Sequence, residues 1–212
     1  MHKLSKKLRD HYSRKYLRYG ATSQGVDWGK DEKLAHLRQL KMLNLLLENQ
    51  SKVSLLDVGC GYGHLAKLIN EDKLCINYSG IDVVGNMIAD ARHNFPQYNF
   101  YLEDFLDHEC ANYDYLICNG VLTQKLSAST LEMNEFFRAF VKKMYSHANI
   151  GIAFNLMSTY VNFQRENLYY RNPSETLAWC TAELSQHVIL NAACEPWFEY
   201  TVYVYKPNVI RS

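Results

Sequence analysis

Glycines at positions 59, 61 and 63 form a turn that could approach a ligand closely. They follow Asp57 in the run D-V-G-C-G-Y-G, between an apolar strand and a helix. Glycine lets the backbone contact a ligand without an intervening Cβ. A dinucleotide fingerprint instead reads G-x-G-x-x-G and rests a pyrophosphate on the helix N-terminus. Because position 64 is histidine, and because Asp57 would repel a pyrophosphate but suit a cation, the turn predicts a cationic ligand.

Two further aspartates end the next two predicted strands. Asp82 follows Gly80-Ile81, where a carboxylate can accept hydrogen bonds from both hydroxyls of a ribose. Asp104 ends the third strand, where it can accept from an exocyclic amine. Val83 and Phe105 come directly after them and could sandwich an adenine ring. Since ligands of open α/β sheets bind at the carboxyl ends of the strands, these residues predict a single nucleoside site.

Strands that alternate with helices must position these residues. The strands are predicted at 53–58, 77–83, 98–102, 114–119, 150–154, 187–191 and 199–205, and the longer helices at 2–19, 31–49, 130–147 and 174–184. This alternation is typical of βαβ units and a mostly parallel sheet with helices on both faces. The last two strands are separated by too few residues for a crossover helix, so they should pair antiparallel. The prediction is a Rossmann-like α/β fold of seven strands with an antiparallel last strand.

The sequence resembles the class I S-adenosylmethionine-dependent methyltransferases of small-molecule type. Four features carry this resemblance: the glycine motif, the acidic strand end at Asp82, the run Glu103-Asp104-Phe105, and residues 114–121. The resemblance covers residues 35–206, and the segment G-V-D-W-G resembles one in bacterial members without an assigned substrate. It implies methyl transfer with S-adenosylmethionine as cofactor. The implied cofactor-binding residues are Asp57, Gly59, Cys60, Gly61 and Gly63 at the methionine end, Asp82 at the ribose, Val83, Met87, Asp104 and Phe105 around the adenine, and Asn119, Gly120 and Val121 beside the methyl group.

Methyl transfer from a sulfonium needs little besides an acceptor held in near-attack geometry, so no catalytic signature is required. The loop after the fourth strand departs from the [DN]-P-P-[YF] pattern, which argues against nucleobase and glutamine acceptors. The candidate catalytic residues are His11, Tyr16 and Lys125, and the candidate substrate-binding residues are Tyr12, Tyr19, Trp28, Gln124 and Tyr160. Each has an ordinary structural alternative on the surface or in the core, and His64 and His147 are predicted to have only such roles.

The glycine-rich segment 19–29 looks like a lid, and lids exclude water from such reactions. Trp28 in this segment could lie near the sulfonium, or it could merely pack against the start of the helix at 31–49. We therefore predict one domain, with an N-terminal arm and lid at 1–50 and a cofactor-binding core at 51–212.

Charge and cysteine content limit the function classes. The chain has 212 residues and a net charge of +1, but residues 1–20 hold seven lysines and arginines against one aspartate. This basic arm would suit an anionic acceptor such as a carboxylate-bearing metabolite, or nucleic acid. Six irregularly spaced cysteines, no secretory signal and no long apolar stretch favour a cytoplasmic protein that does not enter a membrane. His108-Glu109-Cys110 cannot converge on one ion, so no metal is expected.

Three functions remain open at this point. The first is methyl transfer to an oxygen or nitrogen of a small metabolite, with an anionic one favoured by the arm. The second is an RNA or protein methyltransferase that uses the arm for recognition. The third is a cofactor-binding protein without transfer activity, or a nicotinamide oxidoreductase. The sequence specifies neither the acceptor nor an oligomeric state.

Overall fold

A computed structural model describes residues 1–46, 52–192 and 198–207. Its helices are α1 (Lys3–Tyr19), α2 (Glu32–Leu43), α3 (His64–Glu71), α4 (Gly85–Asn94), α5 (Thr130–Ser146) and α6 (Pro173–Glu183). Its strands are β1 (Val53–Val58), β2 (Ile76–Asp82), β3 (Asn99–Leu102), β4 (Tyr113–Cys118), β5 (Ala148–Ser158), β6 (Tyr170–Arg171), β7 (Val188–Asn191) and β8 (Glu199–Tyr205).

The strands form one sheet in the order β3-β2-β1-β4-β5-β8-β7, and the two-residue β6 pairs with the end of β5. β8 runs antiparallel to both of its neighbours, whereas the pairs among β1 to β5 are parallel. The predicted fold is confirmed, with β6 as an addition. Because β8 is reversed, its first residue, Glu199, pairs with Met157 near the carboxyl end of β5.

Local signals account for where several helices begin. Asp31 caps α2 by accepting from the N–H groups of Lys33 and Leu34, and a capping box of Ser129 and Glu132 starts α5. The helix predicted at 31–49 ends at Leu43, and its last predicted residues lie outside the described part of the chain. The predicted boundary between arm and core at residues 50–51 lies outside it as well.

Apolar side chains on the two faces of the sheet build two core clusters. On β1, Leu56 and Val58 face one cluster and Leu55 faces the other, as the alternation of a strand requires. Leu4 and Leu8 of α1 are buried in the first cluster, so the basic helix packs against the body of the protein. In the part of the chain that the structure describes, no helix is both long and apolar enough to cross a membrane.

Candidate active site

A cavity with an empty volume of about 840 Å³ lies at the carboxyl ends of β1 to β4. This volume includes space that is open to solvent. The sheet side of its wall comes from the glycine turn and from the residues that follow β2, β3 and β4. The facing side comes from α1, α5, α2 and the segment 20–29. Residues from both sides of the cavity thus bound it, and part of it stays open to solvent.

The glycine turn contributes backbone to this wall. Gly59 has φ +83°, and a Cβ placed there would lie 2.2 Å from Cγ2 of Val121. The N–H of Gly59 donates to the carbonyl of Ile81 at 2.8 Å, which ties the turn to β2. A side chain at position 59 would therefore clash and strain the turn. Cys60 and Gly61 also line the cavity, as the resemblance implied.

The carboxylate of Asp82 is held by backbone donors at the edge of the cavity. The N–H of Gly61 donates to Oδ2 and the N–H of Val84 donates to Oδ1, each at 2.9 Å. Burial raises the pKa of Asp82 above its ordinary value, although these donors oppose the effect. Each carboxylate oxygen keeps a second lone pair, so Asp82 can still accept hydrogen bonds from hydroxyl groups. Val83 and Met87 line the cavity beside it.

Asp104 and Phe105 line the far end of the cavity. Oδ2 of Asp104 accepts from the backbone N–H of His2 at 2.7 Å, and Oδ1 accepts from the N–H of Leu106 at 3.2 Å. Phe105 is buried and packs on Phe140. The contact expected between Asp104 and an exocyclic amine therefore has to share this carboxylate with the residues that lead into α1.

Two of the residues expected at the cofactor do not line the cavity. Asp57 points to the same face of β1 as Leu55, where the hydroxyl of Tyr78 donates to its Oδ2 at 2.9 Å. Burial there raises the pKa of Asp57 to about 7. Gly63 instead lies at the start of α3, where a Cβ would come 3.1 Å from Phe95. The glycine pattern predicted the turn but not which of its residues face inward.

The loop after β4 lines the cavity through Asn119, Gly120 and Val121. Gly120 has φ +95°, and a Cβ placed there would lie 2.9 Å from Nε1 of Trp28, so the indole packs directly on this glycine. The Asn119 side chain is buried, and its Nδ2 donates to Oε1 of Gln39 at 3.3 Å. The segment 20–29, which holds most of the predicted lid, and α2 therefore meet the loop after β4 at the cavity wall.

Of the candidate substrate-binding residues, Tyr12 and Trp28 line the cavity. Tyr19 is not among its lining residues. Gln124 is occupied by hydrogen bonds with Asp27 and Asn167, and Tyr160 is 69% exposed on the surface. These three residues are not among the described residues that line the cavity.

None of the three candidate catalytic residues lines the cavity. Nε2 of His11 lies 2.9 Å from Oδ2 of Asp27, and the hydroxyl of Tyr16 donates to Asp90 at 2.5 Å. Nζ of Lys125 lies 3.5 Å from the carbonyl oxygen of Ala128. All three side chains therefore have partners among the described residues outside the cavity lining.

Several lining residues were not expected from the sequence. They are Ser5, Leu8, Val26, Gln39, Tyr62, His64, Phe136 and Phe140. The apolar spacing of α1 and α5 predicted a buried helix face but could not indicate that the face meets the cavity. His64 follows the last glycine of the turn directly, which was a signal for its placement. Burial lowers its pKa, and its Nδ1 has no partner among the described residues.

The described lining residues include three acidic side chains, Asp82, Glu103 and Asp104, and no lysine or arginine. Cations of the arm have acidic partners elsewhere: Lys15 pairs with Asp27 at 2.8 Å and Lys3 with Glu132 at 3.3 Å. The positive charge of α1 is therefore directed away from the cavity.

A family model described as a methyltransferase domain matches residues 49–201. The chain belongs to that family. A protein of Mycobacterium tuberculosis named as a methyltransferase, Rv1506c, is 27% identical over 160 residues, which are 73% of this chain and 94% of the relative. The recognition of a class I S-adenosylmethionine-dependent methyltransferase is confirmed, and S-adenosylmethionine is its cofactor.

Solved methyltransferases share the fold at low sequence identity. The magnesium protoporphyrin IX methyltransferase ChlM from Synechocystis PCC 6803, with bound SAM, has a TM-score of 0.66 at 15% identity over 97% of this chain and 98% of its own. The DhpI-SAM-HEP complex has a TM-score of 0.68 at 15% identity over 98% of this chain and 99% of its own. These similarities establish that the architecture described above is that of known methyltransferases.

The cavity fits the cofactor of this family. Its glycine turn leaves room where a Cβ would fill space, and Asp82 keeps free lone pairs at its edge. Acidic side chains without basic ones also suit a sulfonium cation. The residues present are therefore compatible with S-adenosylmethionine.

Proposed function

We propose that this methyltransferase transfers a methyl group from S-adenosylmethionine to an oxygen or nitrogen atom of a small molecule. The observation that carries this proposal is the wall of the cavity: α1 and the segment 20–29 cover the strand ends. A covered cavity suits an acceptor small enough to be enclosed, because closure excludes water from the reacting atoms. The magnesium protoporphyrin IX methyltransferase among the fold neighbours also acts, by its name, on a small molecule.

In this proposal the chain's own residues bind and orient, since the cofactor supplies the activated methyl group. Asp82 accepts hydrogen bonds from the ribose hydroxyls, because its oxygens are fixed by backbone donors and remain partly free. Val83 and Met87 contact the adenine faces, and Asp104 and Phe105 contact its edge. The backbone of Gly59 to Gly61 and the residues Asn119 to Val121 surround the methionine end and the methyl group.

The acceptor that the cavity suits is neutral or cationic. The arm predicted an anionic acceptor, but the described lining contains acidic side chains and no lysine or arginine. A carboxylate on the acceptor would therefore find no lysine or arginine partner among the described lining residues, and burying a charge without an ionic partner is costly. Tyr12 and Trp28 offer aromatic surface instead, which favours an apolar acceptor that carries an amine or hydroxyl group.

The alternative of RNA or protein recognition by the arm receives less support. Lys3, Arg9 and Lys15 each lie in an ion pair with a carboxylate, and Leu4 and Leu8 anchor α1 in the core. A helix held in this way presents fewer free cations to phosphate groups than its sequence suggests.

Calorimetric titration of S-adenosylhomocysteine tests the proposal. The wild-type protein should bind it, and Asp82→Ala should weaken binding by roughly 10- to 150-fold, since hydrogen bonds to a charged group contribute about 1.5–3 kcal/mol. Asp72→Ala, at an exposed carboxylate at the end of α3, serves as the control and should bind as the wild type does. Absence of binding to the wild type would disprove the proposed function, and equal affinities of wild type and Asp82→Ala would remove the role of Asp82.

A further inference from the structure

Arg38 of α2 forms a largely buried ion pair with the first residue of β8. Its Nη2 lies 2.7 Å and its Nε 3.0 Å from Oε1 of Glu199, and the two side chains are 14% and 10% exposed. A buried ion pair is often no more stabilising than apolar residues of similar volume. The role of this ion pair is therefore better explained by the neighbouring groups that Arg38 and Glu199 hold in place than by a gain in stability.

Glu199 connects this pair to the loop after β4. Its Oε2 accepts from Nδ2 of Asn155 at 2.9 Å, and Oδ1 of Asn155 accepts from the N–H of Gly120 at 2.7 Å. Because the carboxylate can only accept and the backbone N–H can only donate, the amide of Asn155 has one orientation that satisfies both. The charge of Glu199 thereby fixes the amide that holds Gly120.

Arg38 also contacts the lid. Its guanidinium carbon lies 5.5 Å from the centroid of the Trp28 ring, within the range of a cation–π attraction. The same indole packs on Gly120, where a Cβ would come within 2.9 Å of Nε1. Trp28 and Gly120 both line the cavity, whereas Arg38 does not. Arg38 therefore acts on two adjoining parts of the wall without lining the cavity.

We propose that Arg38 is a positioning residue for methyl transfer, which fixes the lid and the loop after β4 relative to each other. It contacts Trp28 of the lid directly, and it reaches Gly120 of the loop through Glu199 and Asn155. Only arginine suits this role, because a planar fork can pair with a carboxylate through two N–H groups and stack on an indole at the same time. The effect on cofactor affinity rests on the proposed function, whereas the effect on Trp28 does not.

Tryptophan fluorescence tests the proposal without an identified acceptor. The chain has three tryptophans, so a reporter protein with Trp179→Phe and Trp197→Phe keeps Trp28 as its only one. Arg38→Lys and Arg38→Met in this reporter should make Trp28 more accessible to acrylamide quenching. They should also weaken S-adenosylhomocysteine binding by roughly 2- to 30-fold, the range for residues that modulate a site they do not touch.

Lys142→Met is the matched control, because it removes an exposed ion pair with Glu183 on the outer helices. Quenching and affinity in this variant should equal those of the reporter. Unchanged quenching of Trp28 in both Arg38 variants would overturn the proposal. If the reporter binds no S-adenosylhomocysteine but Trp28 still becomes accessible in the Arg38 variants, the proposed function fails while the positioning of the lid by Arg38 stands.

A double variant separates positioning from a merely structural role. Arg38→Met combined with Glu199→Met removes both buried charges and should recover much of the thermal stability lost in Arg38→Met alone. Under our proposal, Trp28 stays accessible and cofactor affinity stays low in this double variant, because neither apolar side chain can orient Asn155. Recovery of quenching and affinity together with stability would show that Arg38 is structural only.

Discussion

Asp57 lies near the end of β1, as expected, but the surroundings of its side chain differ from those expected. It was expected at the methionine end of the cofactor, but its carboxyl group lies among the apolar residues on one face of β1 and accepts from Tyr78. Desolvation there disfavours the ionised form, which raises the pKa of Asp57 to about 7. Its protonation thus becomes linked to folding near neutral pH.

We expect Asp57→Asn to stabilise the protein increasingly as the pH rises. The unfolded carboxyl group titrates near about 3.9, so between that pH and about 7 the folded state binds the extra proton. Because the folded state holds this proton and the unfolded state does not, raising the pH through this window lowers the free energy of unfolding of the wild type. Asparagine stays neutral and can still accept from Tyr78, so the variant avoids this loss.

Denaturant unfolding at several pH values measures the effect. The difference in unfolding free energy between Asp57→Asn and wild type should grow between pH 4 and 7, by at most about 1.4 kcal/mol per pH unit, and level off above. Asp72→Asn, which removes a carboxylate exposed on the surface, is measured alongside as the control. A pH-independent difference for Asp57→Asn would contradict the assignment.

For single residues, the sequence predicted those whose role depends on neighbouring residues in the chain better than those whose role depends on contacts with distant segments. Gly59 and Asp82 were found because a tight turn and a strand end are visible within a few positions. Gln39 and Val26 were missed because their segments reach the cavity only through tertiary packing. Asp57 was assigned to the cofactor because its position in the motif does not reveal which face of β1 it occupies.

Asp27 connects the segment 20–29 to two neighbouring parts of the chain. The carboxylate of Asp27 lies 2.9 Å from Nε2 of His11, 2.8 Å from Nζ of Lys15 and 3.2 Å from Nε2 of Gln124. The hydrogen bond with His11 is the main reason that the pKa of Asp27 lies below its ordinary value, and Lys15 adds to the effect. One side chain thus links the lid to α1 and to the loop after β4.

Asp27→Asn should loosen the lid without unfolding the sheet. Asparagine tolerates the positive φ of +60° at this position, so the substitution removes the charge with little added backbone strain. Amide hydrogen exchange should become faster across residues 20–29, including the N–H of Trp28, which donates to Ser23. Exchange in β1 and β4 should stay slow.

Asp10→Asn provides the comparison, since Asp10 pairs with Arg9 on the same helix in an exposed position. Its exchange pattern should match that of the wild type. Equal protection of residues 20–29 in Asp27→Asn and wild type would mean that Trp28 and Val26 hold the lid without help from Asp27.

Helix boundaries were predictable where an apolar periodic pattern and a capping residue occur together in the sequence. α5 has an apolar stripe and a capping box, and it was predicted to within one residue. α2 ends earlier than its leucine-rich sequence suggested, because apolar periodicity does not specify where a helix must stop. The sequence predicted an N-terminal arm and lid, but the apolar stripe of α1 indicates burial and does not indicate which residues it contacts.

At the scale of the whole molecule, a net charge of +1 conceals a separation of charge between arm and cavity. The arm is basic, but several of its cations pair with carboxylates outside the cavity, while the described cavity wall contains three acidic side chains and no lysine or arginine. Net charge therefore says little about the ligand of this protein. The side chains at the site decide it.

Thermal unfolding with added ligand distinguishes the whole-molecule alternatives. S-adenosylhomocysteine at about 100 times its dissociation constant should stabilise the folded state by about 2.7 kcal/mol. For a chain of this size that corresponds to a rise in Tm of roughly 5–10 °C. NAD at the same concentration should leave Tm unchanged, because the glycine turn is not a pyrophosphate site. A comparable rise with NAD would favour the nicotinamide oxidoreductase that the sequence left open.

The reversed direction of β8 has a consequence for how the protein acquires its activity. Arg38 and Glu199 are 161 residues apart in sequence, so their contact is among the most non-local in the chain. Loop-closure entropy makes such contacts slow to form, whereas the parallel strands that carry the glycine turn and Asp82 meet over shorter separations. A growing chain that ends before β8 thus holds the residues expected to bind the cofactor but lacks the carboxylate that orients Asn155. Competence for catalysis should accordingly arise late in biosynthesis, after the cofactor site itself has been assembled.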